Sequence, residues 1–140
     1  MLRKSIFFLA SFATLAFPKA QTFVQAYQDR ANQVSQSNIN TYLQEFEAIG
    51  VKRTGTTQNT NAFNWLKNKY LSLGYTTADF FEHSWTSSGL SSKNLIVTKT
   101  GTVYPNKFVI ICGHFDSING PGTNDNGSGT SIILEAARIL

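Results

Sequence analysis

Three residues near the end of this chain have the types and spacing for metal chemistry: His114, Asp116 and Asp125. The stretch from Gly113 to Gly129 reads G-H-F-D-S-I-N-G-P-G-T-N-D-N-G-S-G. In an extended segment, residues two apart point the same way, so His114 and Asp116 share a side and Phe115 takes the other. A carboxylate beside a histidine can hold the proton on one ring nitrogen and leave the other nitrogen to a metal. Asp125 follows a Gly-Pro-Gly turn that can fold the chain back, and its two oxygens suit a bridge between two cations. Gly120, Gly122, Gly127 and Gly129 permit the backbone conformations of a tight ligand loop.

Taken singly, each residue has a plain structural reading. His114 alone would be a hydrogen-bonded histidine at a strand end, and Asp116 a turn cap. Asp125 within Asn-Asp-Asn-Gly has the composition of an ordinary turn. The order gives the signal its strength: an apolar run, Phe108 to Cys112, then the ligand types, then an apolar helical pattern. Ligands in open α/β sheets gather at the carboxyl ends of strands.

Two competing motifs fit less well. Asn124 to Glu135 has the glycine and glutamate spacing of a calcium EF-hand loop. Its first position is Asn, however, and Gly120-Pro121-Gly122 forbids the incoming helix. Gly127-Ser128-Gly129 hints at a nucleophile elbow, but that motif needs glycine where Asn126 stands. Ser128 reads instead as a helix N-cap.

The elements around these residues can be read from periodicity. Ser37-Asn38 is placed to cap a helix over 39–49, with Ile39, Tyr42, Leu43, Phe46 and Ile49 on one face. A second helix is predicted over 61–73, with Phe63, Trp65, Leu66, Tyr70, Leu71 and Leu73 on its apolar face. Strands over 79–85 and 95–100 should pair as a hairpin through the Ser/Gly turn at 87–92. Phe108 to Cys112 has the composition of a strand buried on both faces. Cys112, the one cysteine, is then a small buried strand residue and forms no intrachain disulfide. Ser128 to Leu140 reads as a deeply buried helix. His83 reads as a surface strand residue.

The 140 residues leave room for one domain, and the 41% hydrophobic content is that of a globular protein. The formal charge of +4 owes three of its positive residues, Arg3, Lys4 and Lys19, to the N-terminal segment. Without them the balance is close to neutral, and no basic stripe points to nucleic acid. Residues 1–20 resemble a secretory signal: a charged start, an apolar run from Ile6 to Phe17, and a cleavage region at Pro18-Lys19-Ala20. That run is shorter than the roughly 20 apolar residues of a spanning helix. The expected protein is therefore secreted or periplasmic, with no stable membrane anchor. The expected layout is a signal at 1–20, a polar segment at 21–37, and part of one domain at 38–140. The helical pattern reaches Leu140 without a capping glycine or a polar close, so that domain is expected to be larger than this chain.

At these residues the sequence resembles the co-catalytic zinc aminopeptidases, secreted bacterial enzymes whose wider family includes glutamate carboxypeptidases and glutaminyl cyclases. The matching strings are G-H-F-D-S at Gly113 to Ser117 and P-G-T-N-D-N-G-S-G at Pro121 to Gly129. Weaker agreement reaches Arg53, Gly74, Ser92 to Val97 and Leu134 to Leu140. The resemblance implies an α/β fold with a mixed sheet sandwiched between helices. It implies that His114 is a terminal zinc ligand and that Asp125 bridges two zincs. Asp116 would be the catalytic-site carboxylate that orients His114. It also implies a cis peptide between Asp125 and Asn126, and a structural place for Glu135. The implied substrates are the N-termini of peptides or proteins. The family's glutamate pair, a further aspartate and a further histidine have no match in this chain, so the chain alone is expected to be inactive and to hold zinc weakly. A glutaminyl cyclase-like zinc acyltransferase and a non-catalytic secreted binding domain stay open as alternatives.

Overall fold

The computed structural model describes residues 22–140. The expected signal at 1–20 lies outside the described residues. The polar segment that follows carries a helix, α1 (Gln25–Ala31), which buries none of its residues. Its Arg30 donates to the carbonyl of Ile139 at 3.1 Å, tying this segment to the far end of the chain.

Helix α2 (Gln36–Ala48) starts ahead of the expected boundary because Ser35 is its cap: the Ser35 hydroxyl accepts from the Asn38 N–H. Tyr42 and Phe46 of the expected apolar face are buried. Gly50, at φ +84°, ends the helix in a left-handed conformation that glycine adopts freely. Helix α3 (Thr57–Ser72) starts four residues before expectation, capped by Thr56. Its first turn is polar and so invisible to an apolar pattern. Phe63, Leu66 and Tyr70 face inward.

The expected hairpin forms with a tighter turn. Strands β1 (Phe80–Ser87) and β2 (Leu90–Val97) pair antiparallel from Phe80 opposite Val97 to Ser87 opposite Leu90. Ser88 and Gly89 alone make the turn, both with positive φ (51° and 77°). That is the backbone of a turn matched to strand twist. Strand β2 thus takes in Leu90 to Ser92, which the sequence suggests for the turn.

The expected central strand is absent among the described residues, whose sheet has two antiparallel strands rather than a mixed set. Phe108 to Cys112 is extended but pairs with neither strand, and Val109 is 96% exposed. Cys112 is exposed rather than buried. Apolar composition suits such a segment for burial, but burial needs neighbours on its edges and faces, and neither β1 nor β2 is set beside it. No helix among the described residues is long and apolar enough to cross a membrane.

Helix α4 (Gly129–Ile139) buries one face rather than most sides. Thr130, Ser131, Leu134 and Glu135 are buried, while Ile132 is exposed. Its Leu134 joins Tyr42, Leu66 and Tyr70 in the core, with Trp65, Phe80, Leu95, Val97 and Phe115 packed around them. Tyr70 meets Tyr75 edge-on at 5.5 Å and Phe80 at 6.3 Å. Such aromatic pairs add to plain area burial. Burial pushes the Tyr70 phenol up to about 12.

Glu135 is a charged group inside this packing, 2% exposed. Its carboxylate accepts from Arg138 at 2.7 and 2.9 Å, from the Ser35 N–H at 2.7 Å and from the Asn38 side chain at 3.3 Å. A buried carboxylate is tolerable only when its oxygens are engaged in this way. The Arg138 bond, against the penalty of burial and with help from Ser35 and Asn38, holds the carboxyl below its usual range. A depressed carboxylate contributes stability above its ordinary pKa and loses it as pH falls through the folded value. Glu135→Gln should therefore cost about 1–3 kcal/mol at pH 7, because charged hydrogen bonds are lost. Urea unfolding at pH 7 and pH 3 checks this, and the difference from wild type should shrink at the lower pH.

Candidate metal centre

His114 stands on an extended stretch whose alternation is as the sequence suggests. Phe115 turns inward onto Phe63, with ring centroids 6.3 Å apart. His114 and Asp116 stay toward solvent on the other side. Ser117 is buried, and the hydroxyl of Thr130, at the start of α4, donates to the His114 carbonyl at 3.3 Å. The backbone beneath the imidazole is thus held by the same helix that follows Asp125.

The chain returns through Gly122 (φ +68°) into a kinked helical turn, Thr123–Ser128. Asp125 and Asn126 are non-helical within it, and the peptide between them is cis, as the resemblance implied. The Gly127 N–H closes the loop on the Gly122 carbonyl at 2.8 Å. Ser128 does not cap α4 with its side chain, contrary to expectation. Its hydroxyl donates back to the Asn124 carbonyl at 2.8 Å, and its own backbone is already helical.

This folding brings all three candidate residues together. The His114 Nδ1 lies 3.1 Å from Asp116 Oδ1 and 3.2 Å from the Asp116 carbonyl. The Nε2 lies 2.9 Å from Asp125 Oδ1. Both ring nitrogens therefore face oxygens, and which of them donates depends on the tautomer. Partial burial pushes its pKa down, but the bond to Asp125 and the bonds and charge of Asp116 outweigh it, so the ring is held above its ordinary value. The Asp125 side chain is 89% exposed, so its second oxygen is open to solvent.

A cation at Nε2 would take the place of one proton. The donor set fits that exchange: an imidazole fixed through its other nitrogen by a carboxylate, facing a second carboxylate across hydrogen-bond distance. Asp116 would remain the orienting partner. His114 and Asp125 would be two donors, fewer than the three or four protein ligands of a zinc site. Among the described residues no group of three or more His, Cys, Asp or Glu is arranged to hold an ion. His83 is on the hairpin surface, exposed, within 3.5 Å of Asn94. Glu135 is engaged with Arg138 and α2, which removes it from any calcium loop.

One residue beside the site was not visible in the sequence. Lys52, in the loop after α2, is fully buried. Its ammonium donates to the carbonyls of Pro121 at 2.6 Å and Gly50 at 2.7 Å, and lies 3.9 Å from the centre of the Phe46 ring. Burial pushes its pKa down, with a smaller opposing effect from Glu47. A lysine in a polar stretch beside Arg53 carries no local signal of burial. Its Pro121 partner comes from the loop some seventy residues on.

Comparison with known proteins agrees with this region. Residues 94–140 match Peptidase family M28, and that span holds His114, Asp116 and Asp125. Leucine aminopeptidase 1 of Paracoccidioides brasiliensis is 31% identical over 91% of this chain and 35% of its own length. Leupeptin-inactivating enzyme 1 of Streptomyces exfoliatus is 30% identical over 89% of the chain and 28% of its own length. A probable zinc metalloprotease of Pyrenophora teres f. teres is 28% identical over 78% of the chain and 28% of its own length. The chain thus spans about a third of the length of these curated relatives.

Gly127 is closely packed behind Asp125. A Cβ there would fall 2.8 Å from Phe46 Cδ1 and 2.9 Å from the Gly122 carbonyl oxygen. Neither a buried ring nor a backbone oxygen yields easily. Gly127→Ala should destabilise the fold by about 1–3 kcal/mol, the range of an overpacked core. Urea unfolding reads the loss, and a near-ultraviolet dichroism change would report displaced aromatic rings.

Proposed function

We propose that this chain contributes part of the metal site of a zinc-dependent aminopeptidase of the M28 type. The observation that carries the reading is the threefold arrangement of His114 between Asp116 and Asp125. The match of residues 94–140 to Peptidase family M28 supports it. So do the names of the relatives, leucine aminopeptidase and probable zinc metalloprotease.

In this reading His114 Nε2 and the Asp125 carboxylate would hold zinc, the carboxylate offering two oxygens. Asp116 holds the Nδ1 proton and so presents Nε2 to the metal. Zinc, when bound, acts as a Lewis acid on the scissile carbonyl and lowers the pKa of water. The substrates are peptides with free N-termini. The remaining donors and the general base come from residues outside the set described, in keeping with relatives about three times as long. The secreted bacterial aminopeptidases remain the proposed subgroup. Export is proposed from the charged start and apolar run within residues 1–20.

The test uses the protein encoded by the complete reading frame. Leucyl-p-nitroanilide hydrolysis should require zinc, be lost on chelation and return with zinc. His114→Ala and Asp125→Ala should each lower kcat/KM at least 100-fold, while Asp116→Asn should cost roughly 10- to 100-fold, as for the orienting partner of a ligand. A zinc-independent rate, or full activity in Asp125→Ala, would overturn the assignment. Release of pyroglutamyl peptide in place of free amino acid would point to the cyclase reaction instead.

A further inference from the structure

We infer that Lys52 is a positioning residue for the metal centre: its buried ammonium fixes the turn that carries the chain from Asp116 round to Asp125. The inference rests on the metal-centre reading above, and it adds a residue that this reading does not use.

Lys52 grips that turn at both ends. At the start, the Lys52 N–H donates to the Ser117 hydroxyl at 3.0 Å, and the Ser117 N–H donates to the Lys52 carbonyl at 3.3 Å. Ser117 directly follows Asp116. At the far end, the ammonium donates to the Pro121 carbonyl at 2.6 Å. Gly122, next in line, accepts the Gly127 N–H and closes the loop around Asp125. Lys52 is itself held, because Asn59 donates to its carbonyl at 3.2 Å and Asn59 is buried in α3.

The chemistry of the contact argues for a specific role. Lys52 forms no ion pair among the described residues; its ammonium rests on two carbonyls and an aromatic face. Taking an ammonium out of water is costly, and an apolar side chain of similar shape would fill the same space without that cost. A methionine there would fill the space over the Phe46 ring in place of the ammonium. It would not donate to Pro121. The turn it would release contains Gly120 and Gly122, residues with large conformational freedom. Freed, it would let Asp125 drift relative to His114, and a ligand pair must be held within about half an ångström to work as one site.

The test takes the whole chain, wild type and Lys52→Met, and follows its two histidines by imidazole 1H–15N correlation with zinc chloride as the probe. In Lys52→Met the His114 signals should shift while those of His83, out on the hairpin, stay in place. Zinc affinity measured by calorimetry should fall about tenfold, the effect of losing a group that orients ligands. A folded Lys52→Met with His114 signals and zinc affinity at wild-type values overturns the inference. If it does not fold, Lys52→Gln, which keeps an N–H donor on a neutral side chain, is read by the same two measurements. If zinc leaves the wild-type His114 signals unmoved, the two donors of this chain do not hold the ion by themselves, and the metal-centre reading rests on the activity assays above. The positioning role is then decided by the His114 shift alone.

Discussion

The carboxylate of Glu135 joins stretches of chain a hundred residues apart, and much of the rest depends on that junction. It ties α4 to the first turn of α2 while Arg138 balances its charge. With α4 fixed, Leu134 drops into the core beside Tyr42. Thr130, one turn earlier, can then hold the backbone of His114. The ligand loop is therefore suspended from a helix whose own position is set by a buried carboxylate bonded to the start of α2. A charge engaged on every side sets direction where apolar packing alone tolerates sliding.

The candidate site combines this rigid support with an open face. Phe115 faces inward, yet the residues on either side of it reach solvent. The strand-like alternation does both jobs with three consecutive residues. The same division appears at Asp125: Gly127 is packed against Phe46, while the carboxylate two residues before it is almost fully exposed. Chemistry at such a site depends on backbone that cannot move and side chains that can be approached.

Much of this was legible in the sequence, for physical reasons that can be named. The helices α2, α3 and α4 and the hairpin announced themselves through apolar spacing, whereas α1, in a polar stretch, did not; His114, Asp116 and Asp125 stood out through residue type and order. Helix starts were misjudged where the first turn is polar, as at Thr57, because a cap such as Thr56 is recognised by its bond rather than its hydrophobicity. The tight turn at Ser88-Gly89 was hidden by serines that suit a loop and an exposed strand equally. Lys52 was illegible because one of the two carbonyls that hold its ammonium, that of Pro121, is distant in sequence. The central strand was the opposite case: Phe108 to Cys112 has every local property of a buried strand, and no local property reports whether partners are present.

That unpaired segment has a consequence for the chain in solution. Phe108, Val109, Ile110 and Ile111 are each more than half exposed, in an extended stretch with no ladder among the described residues. An uncharged, β-branched run whose backbone donors and acceptors are unpaired among the described residues is a template for strand addition. Whatever next meets it, another part of the polypeptide or a second molecule, is offered the same hydrogen bonds. Concentration and the order of encounter then decide whether the outcome is a completed sheet or an aggregate.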